Sequence, residues 1–353
     1  MVIGYDVNME NRCKHELQLQ NRNSWQRHNC VINALQRLKL IDYNSILAFL
    51  LCSCVVFLGF ILPAIAQNII DNSEKINYTH YKTTVNGFLM HYVIGGGGDP
   101  VVLLHGWPQT WYEWRNIIPE LISNNYTVIA PDMRGLGDSE KTQTGYDTKT
   151  LAEDIYQLVK KLGYSKIYLV AHDWGGPVAY SYAAEHPEDV RKMIILDTLL
   201  PGFGLEEAGD FSQNGIWHFS FHAVRDLPEK LIEGKEDLYL NWFYDWTYNQ
   251  SAITPEDREE YIKQYSKPGA MRAGFEYYRA IFEDAEQNKE YGKEKLDMPI
   301  LTIGGEAAIG NFTTISFQKV ANNVIGITLP NTGHFIPEER PNFLIKEILD
   351  FFK

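Results

Sequence analysis

An aspartate stands where a short strand turns into a helix. In KIYLVAHDWGGP, residues 166–177, the apolar run Ile167–Val170 leads through Ala171 and His172 to Asp173. Trp174, Gly175 and Gly176 then open a helix-like pattern that runs through Glu185. Strand, tight turn and helix together are the context of a nucleophile elbow. The small residues at 171, 175 and 176 let the helix start close under the strand, where a Cβ-rich turn would clash. A serine at such an apex attacks an acyl carbon. A carboxylate is a weaker nucleophile, suited to a saturated carbon that carries a strained or good leaving group. An epoxide or an alkyl halide provides one. The product is an alkyl ester, which water must then hydrolyse in a second step. Asp-x-Gly sequences also form ordinary turns, so Asp173 gains its weight from the partners that follow it.

The second step needs a base. His334 sits in the short loop Asn331-Thr332-Gly333-His334, directly after a strand at Val324–Leu329, and imidazole near neutrality can take a proton from water. A base needs an orienting acid, and two places offer one. Asp197 ends the strand Val190–Leu196. Glu306 lies in GGEAAIG, after the strand Pro299–Ile303. The oxyanion formed during ester hydrolysis needs two donors. The backbone N–H of Trp174, just after the nucleophile, is one candidate. That of Trp107, in His105-Gly106-Trp107-Pro108 after the buried strand Pro100–Leu104, is the other.

These residues need a frame. Tyr81–Ile94 alternates and ends in the glycines 95–98, which predicts a hairpin at a sheet edge. The glycine run has no following Lys-Ser/Thr and is a turn, not a phosphate loop. Trp111–Leu121 predicts an amphipathic helix and Tyr126–Ala130 the next strand. Thr150–Leu162 predicts a helix with Thr148 or Thr150 as its cap and acids in its first turn. From Thr198 to about Leu296 the strand rhythm stops. This stretch is rich in Trp, Phe and Tyr, with helical runs at 226–248 and 255–282. A helix at 313–322 and another at Pro341–Phe352 close the chain. Strands alternating with helices predict an α/β fold with a mostly parallel, doubly wound sheet. The expected organisation is a core of 76–197 and 297–353, with 198–296 inserted as a helical cap, or lid.

The N-terminal region is of another kind. Ile46–Pro63 is an almost unbroken apolar run, followed by Ala64-Ile65-Ala66. This reads as a signal peptide within residues 1–66, cut after Ala66, and hence as a secreted or periplasmic protein. The rival reading keeps residues 46–63 as a membrane anchor, since they are just long enough to span a bilayer. All four cysteines, at 13, 30, 52 and 54, precede the expected cut, so the exported part would need no disulfide. The net charge is −13, and the acidic excess falls after residue 66, which argues against a nucleic-acid surface. The histidines at 105, 172, 218, 222 and 334 form no ligand-spaced set with acids, and the chemistry needs neither a metal nor a cofactor.

The elbow, HGWP and the late Gly-His together resemble the α/β-hydrolase fold. AHDWGG, with its aspartate, resembles the epoxide hydrolase and haloalkane dehalogenase branch. WHFSFHAVRDLPEKLIEGKE (217–236) and KPGAMRAGFEYYRA (267–280) are similar to the Cif family of secreted bacterial epoxide hydrolases. The resemblance covers roughly residues 76–353. It implies that Asp197 is the orienting acid, one methylene shorter than the family's glutamate, because the position that usually carries an acid in other relatives looks like Ala308. It implies that His218 and Tyr278 donate to the epoxide oxygen, with Tyr277 as the alternative if the helix register differs. It places Thr332 and Arg340 where a relative carries a cysteine pair, so the histidine loop is expected to be looser. A homodimer is implied by resemblance only. The expected function is hydrolysis of an apolar epoxide by water to a vicinal diol. The alternatives are a haloalkane dehalogenase and a host-directed virulence protein on a hydrolase scaffold.

Overall fold

Two φ-positive residues, Asn86 and Gly87, make the tight turn that folds the first strands into a hairpin. β1 is Tyr78–Val85 and β2 is Phe88–Gly95, paired antiparallel with Val85 opposite Phe88. The computed structural model describes residues 78–209 and 216–353. The apolar run 46–63 and Ala66 lie outside the described residues. Within the described residues, no helix is long and apolar enough to cross a membrane.

Six further strands follow: β3 Asp99–Leu104, β4 Tyr126–Pro131, β5 Ile167–His172, β6 Val190–Leu196, β7 Ile300–Gly305 and β8 Val324–Leu329. The sheet order is β1-β2-β4-β3-β5-β6-β7-β8. β2 meets both its neighbours antiparallel, and all pairs from β4 through β8 are parallel. All six residues of β5 are buried, as expected of a parallel strand covered on both faces. Alternation along the strands splits the core in two. Val101 and Leu103 face Trp114, Leu121, Leu344 and Ile348, whereas Val102 and Leu104 face Ile155, Val159 and Val178. Because β3, β5, β6, β7 and β8 lie side by side and run the same way, the loops leaving their C-terminal ends emerge along one edge. Ligands bind at that edge in open α/β sheets.

The helices depart from the sequence reading in specific places. The run expected as one helix at 111–121 is a 3-10 turn at Trp111–Trp114, capped by Thr110, and a separate helix at Ile118–Ser123. Pro119 has no N–H to continue the first turn and sits instead at the start of the second helix. The helix expected at 150–162 spans Thr148–Lys161. Its cap is Asp147, whose side chain accepts from Thr150 N, and it has no acid in its first turn. The segment between β6 and β7 is helical, but in shorter pieces than expected. Gly234, at φ 73°, ends Leu227–Ile232 before Glu236–Tyr244 begins. Lys267-Pro268-Gly269 separates Pro255–Tyr265 from Ala270–Arg279, and a further helix runs over Ile281–Tyr291. The helix expected at 313–322 spans Phe312–Gln318.

Candidate active site

The elbow forms as its glycines require. Asp173 sits at φ 47°, in the left-handed region that a short polar side chain tolerates. A Cβ on Gly175 would lie 2.4 Å from the Leu104 carbonyl oxygen, so only glycine lets the helix Gly175–Glu185 start against β3. Trp107 N donates to Asp173 Oδ1 at 2.8 Å. The loop after β3 therefore reaches the carboxylate directly. Among the described residues, the Trp174 amide has no bond to that carboxylate. The Trp174 indole lines the cavity in front of it.

His334 Nε2 stands 3.6 Å from Asp173 Oδ2, and its Nδ1 lies 2.8 Å from Asp197 Oδ2. Asp197 is fully buried at φ 41°, and its other oxygen accepts from Gly305 N at 2.7 Å and Ile309 N at 3.2 Å. The shorter aspartate thus reaches the imidazole, and two backbone amides fix its carboxylate. Glu306, the other candidate, is exposed, and its carboxylate accepts from Asn331 N at 3.2 Å instead of facing His334. Ala308 lines the cavity and carries no acid there.

A cavity of about 490 Å³ opens in front of Asp173 and His334. His218, Phe219, Phe243, Trp246 and Tyr278 of the helical segment form part of its wall. The His218 and Tyr278 ring centroids are 5.5 Å apart. Burial, then the neighbouring His334, holds the His218 imidazole down to about 3, so it is neutral at working pH. Burial, then the Asp173 charge, pushes the Tyr278 hydroxyl well above the usual phenol range. Both side chains keep a proton to donate. Tyr277 points elsewhere: its hydroxyl donates to the Arg134 carbonyl at 2.8 Å, in the core. The helix register therefore puts Tyr278, not Tyr277, at the cavity.

The histidine loop carries polar ties where the relative has its cysteine pair. Arg340 Nη1 donates to Thr332 Oγ1 at 3.2 Å and to the Pro330 carbonyl at 3.1 Å, so the two positions expected to lack a staple make a polar one. Glu339 adds a second tie, accepting from Gly333 N at 3.0 Å and from Tyr248 N at 2.7 Å. Sequence reasoning missed Glu339, because a lone carboxylate in a helix-like run signals nothing until its partners are known. It also missed Glu113, and gave His172 no part beyond its place in the elbow. One grouping of metal-ligand type was not foreseen either. His91, Asp132 and Asp138 bring donor atoms within 4.8 Å of one another. These atoms are already engaged. His91 bonds Asp132 and His80, Asp132 accepts from Trp111 N and Asp138 N, and Asp138 pairs with Lys267. The grouping is a hydrogen-bonded node beneath the loop after β4.

Comparison with known proteins agrees with this geometry. The family described as alpha/beta hydrolase fold matches residues 99–341, and the chain belongs to it. A soluble epoxide hydrolase of Corynebacterium sp. (strain C12) is 43% identical over 282 residues, covering 78% of this chain and 97% of its own. Among solved structures, the epoxide hydrolase CorEH without ligand is similar at 40% identity and a TM-score of 0.72, over 78% of this chain and 99% of its own. Cfl2 from Burkholderia cenocepacia is similar at 37% identity and a TM-score of 0.72, over 78% and 96%.

Proposed function

We propose that the protein is an epoxide hydrolase that opens an apolar epoxide to a vicinal diol through an ester on Asp173. The observation that carries this reading is a cavity lined both by the Asp173 carboxylate and by two neutral proton donors, His218 and Tyr278. Trp107 N holds Oδ1, which leaves Oδ2 to attack a ring carbon. The C–O bond of the ring breaks, and the departing alkoxide takes a proton from the His218 and Tyr278 side. His334, oriented by Asp197, then removes a proton from water, and the resulting hydroxide adds to the ester carbonyl. The oxyanion collects on the oxygen already facing Trp107 N, with Trp174 N as the second donor. Collapse releases the diol oxygen as an alkoxide; the protons left on His334 and on the new carboxylic acid pass to that oxygen and to the spent donor, which restores Asp173, His334 and the donor. The soluble epoxide hydrolase that is 43% identical supports the same reaction class.

A haloalkane dehalogenase would need indole donors turned on a halide, and Trp174, which lines the cavity, could supply one. His218 and Tyr278 in the same lining favour an epoxide oxygen instead. No arginine follows the nucleophile to hold a haloacid. The lid segments 217–236 and 267–280 support placement beside the Cif family. The run 46–63 before Ala64-Ile65-Ala66 supports export, which cell fractionation with a C-terminal tag tests.

Single turnover of styrene oxide in heavy-oxygen water tests the mechanism. The first diol should carry ordinary oxygen drawn from Asp173, with label entering on later turnovers. Label in the first product, or halide release from a bromoalkane without diol formation from the epoxide, overturns the reading.

A further inference from the structure

Behind the cavity lies a buried charge pair to which the reaction above assigns no part. Glu113 sits in the 3-10 turn Trp111–Trp114, and His172 is the last residue of β5, immediately before Asp173. Both are fully buried. His172 Nε2 lies 2.9 Å from the His334 carbonyl oxygen. His172 Nδ1 lies 3.2 Å from Glu113 Oε2, an off-axis approach that makes the contact a charge pair and not an aligned hydrogen bond. The same Glu113 oxygen accepts from Gly106 N at 3.2 Å.

We infer that Glu113 and His172 form a positioning pair for the hydrolytic half of the reaction, because together they fasten the backbones of His334 and Gly106 to the strand that carries Asp173. The inference rests on the epoxide hydrolase reading of the site.

The protonation state follows from the partners. The His334 carbonyl can only accept, so His172 Nε2 must carry a proton. The carboxylate facing Nδ1 favours a proton there as well. Burial alone would lower this imidazole, but the Glu113 carboxylate, with Asp173 and Asp197 behind it, lifts it to about 9. His172 therefore holds a proton on both ring nitrogens at neutral pH. A buried ion pair is a poor way to gain stability, since the desolvation cost rivals the attraction. Here both ends terminate on backbone groups of catalytic loops. One bond stops the His334 main chain from rotating about the elbow, with the two imidazole centroids 4.8 Å apart. The other fixes Gly106, so that the next amide, Trp107 N, stays on Asp173 Oδ1.

The two steps depend on this arrangement unequally. Ring opening needs the Asp173 carboxylate and the donors His218 and Tyr278. Ester hydrolysis needs the His334 imidazole aimed at water and Trp107 N aimed at the oxyanion. Small displacements of such groups cost up to about a hundredfold in rate.

The test measures ester formation and ester decay separately, by rapid quench with styrene oxide, in wild type, Glu113→Ala and Glu113→Gln. Glu113→Ala should slow decay by about tenfold or more while formation changes by less than about threefold, so that ester accumulates. Glu113→Gln should recover most of the decay rate. Its amide oxygen can take the place of the shared Oε2 and still accept from Gly106 N, while His172 keeps Nε2–H for the His334 carbonyl. A structural role alone lowers the amount of folded enzyme and leaves the ratio of the two rates unchanged. If Glu113→Ala does not fold, His172→Gln is measured in its place against the same expectation of slowed decay. An unchanged ratio in the variant measured, or equal loss in both steps, overturns the inference. Wild type that forms neither ester nor diol overturns the epoxide reading instead, a distinguishable result.

Discussion

Tyr278 and His218 line the same cavity as Asp173, and each has a reason to stay protonated and uncharged. Burial and the Asp173 charge raise the tyrosine, and burial lowers the histidine to about 3. Neither changes state between pH 6 and 9. Ring opening should therefore show no alkaline fall from Tyr278 over that range, and a burst measurement of ester formation from pH 7 to 9 checks it. Tyr278→Phe removes one donor to the developing alkoxide and should slow ester formation by about 10²-fold, with ester decay little changed. His218→Phe should act on the same step. Rapid quench separates these effects from a loss of substrate binding. The residues in these roles were largely legible in the sequence, because strand-turn-helix around Asp173 and Gly-His after a strand are local patterns. The orienting acid was not settled there. Asp197 and Glu306 both follow strands, and only the fold shows that Asp197 meets His334 while Glu306 turns to Asn331.

Elements hold these residues by close approach. The helix Ala270–Arg279 passes over Trp107 at Gly274, where an added Cβ would meet the indole at 2.5 to 2.8 Å. Helix interiors disfavour glycine by roughly 1 kcal/mol against alanine, so an exposed glycine here would gain from the change. At this contact the sign reverses. Gly274→Ala must displace the helix or tilt the Trp107 ring, and overpacking of this kind costs typically about 1–3 kcal/mol. Trp107 N is bonded to Asp173, so the same change should lower kcat/KM along with the melting temperature. Calorimetry and steady-state diol formation on the variant test both parts. A rise in stability with unchanged activity would show that the helix relaxes freely. Element types and order were readable from periodicity, and β6 and β8 occur at their expected bounds. Breaks inside helices were harder to read. The expected runs 226–248 and 255–282 contain helix-forming residues on both sides of each break, and the interruptions depend on the backbone chemistry of Gly234 and Pro268-Gly269.

At the scale of the molecule, the helical segment is joined to the sheet core by a buried polar network. Arg115, near the start of the core, reaches Glu338 at 2.7 Å and Asp257 at 2.8 Å. Tyr261 donates to Glu338, and so does Gln109 Nε2 at 3.1 Å, next to the HGWP loop. Asp257 and Tyr261 belong to the helix Pro255–Tyr265, whose start is fixed by a Thr254–Asp257 capping box. The Glu338 carboxylate has no solvent access in its side chain and is pushed upward by burial, against the pull of Arg115. Removing the cation leaves that charge stranded. Arg115→Met should therefore cost about 3–5 kcal/mol in urea unfolding, well beyond the value of a surface pair. The cost should depend on pH in a definite direction. An acid whose folded pKa lies above its unfolded value favours the folded state at low pH and loses that advantage as pH rises. In Arg115→Met, Glu338 moves further that way, so the deficit against wild type should shrink as pH falls from 7 towards 5. Adding Glu338→Gln to Arg115→Met removes the stranded charge and should recover part of the loss at neutral pH. Equal deficits at both pH values, with no recovery in the double variant, would mean that the guanidinium acts by packing alone and that the network does not join the two parts through its charge.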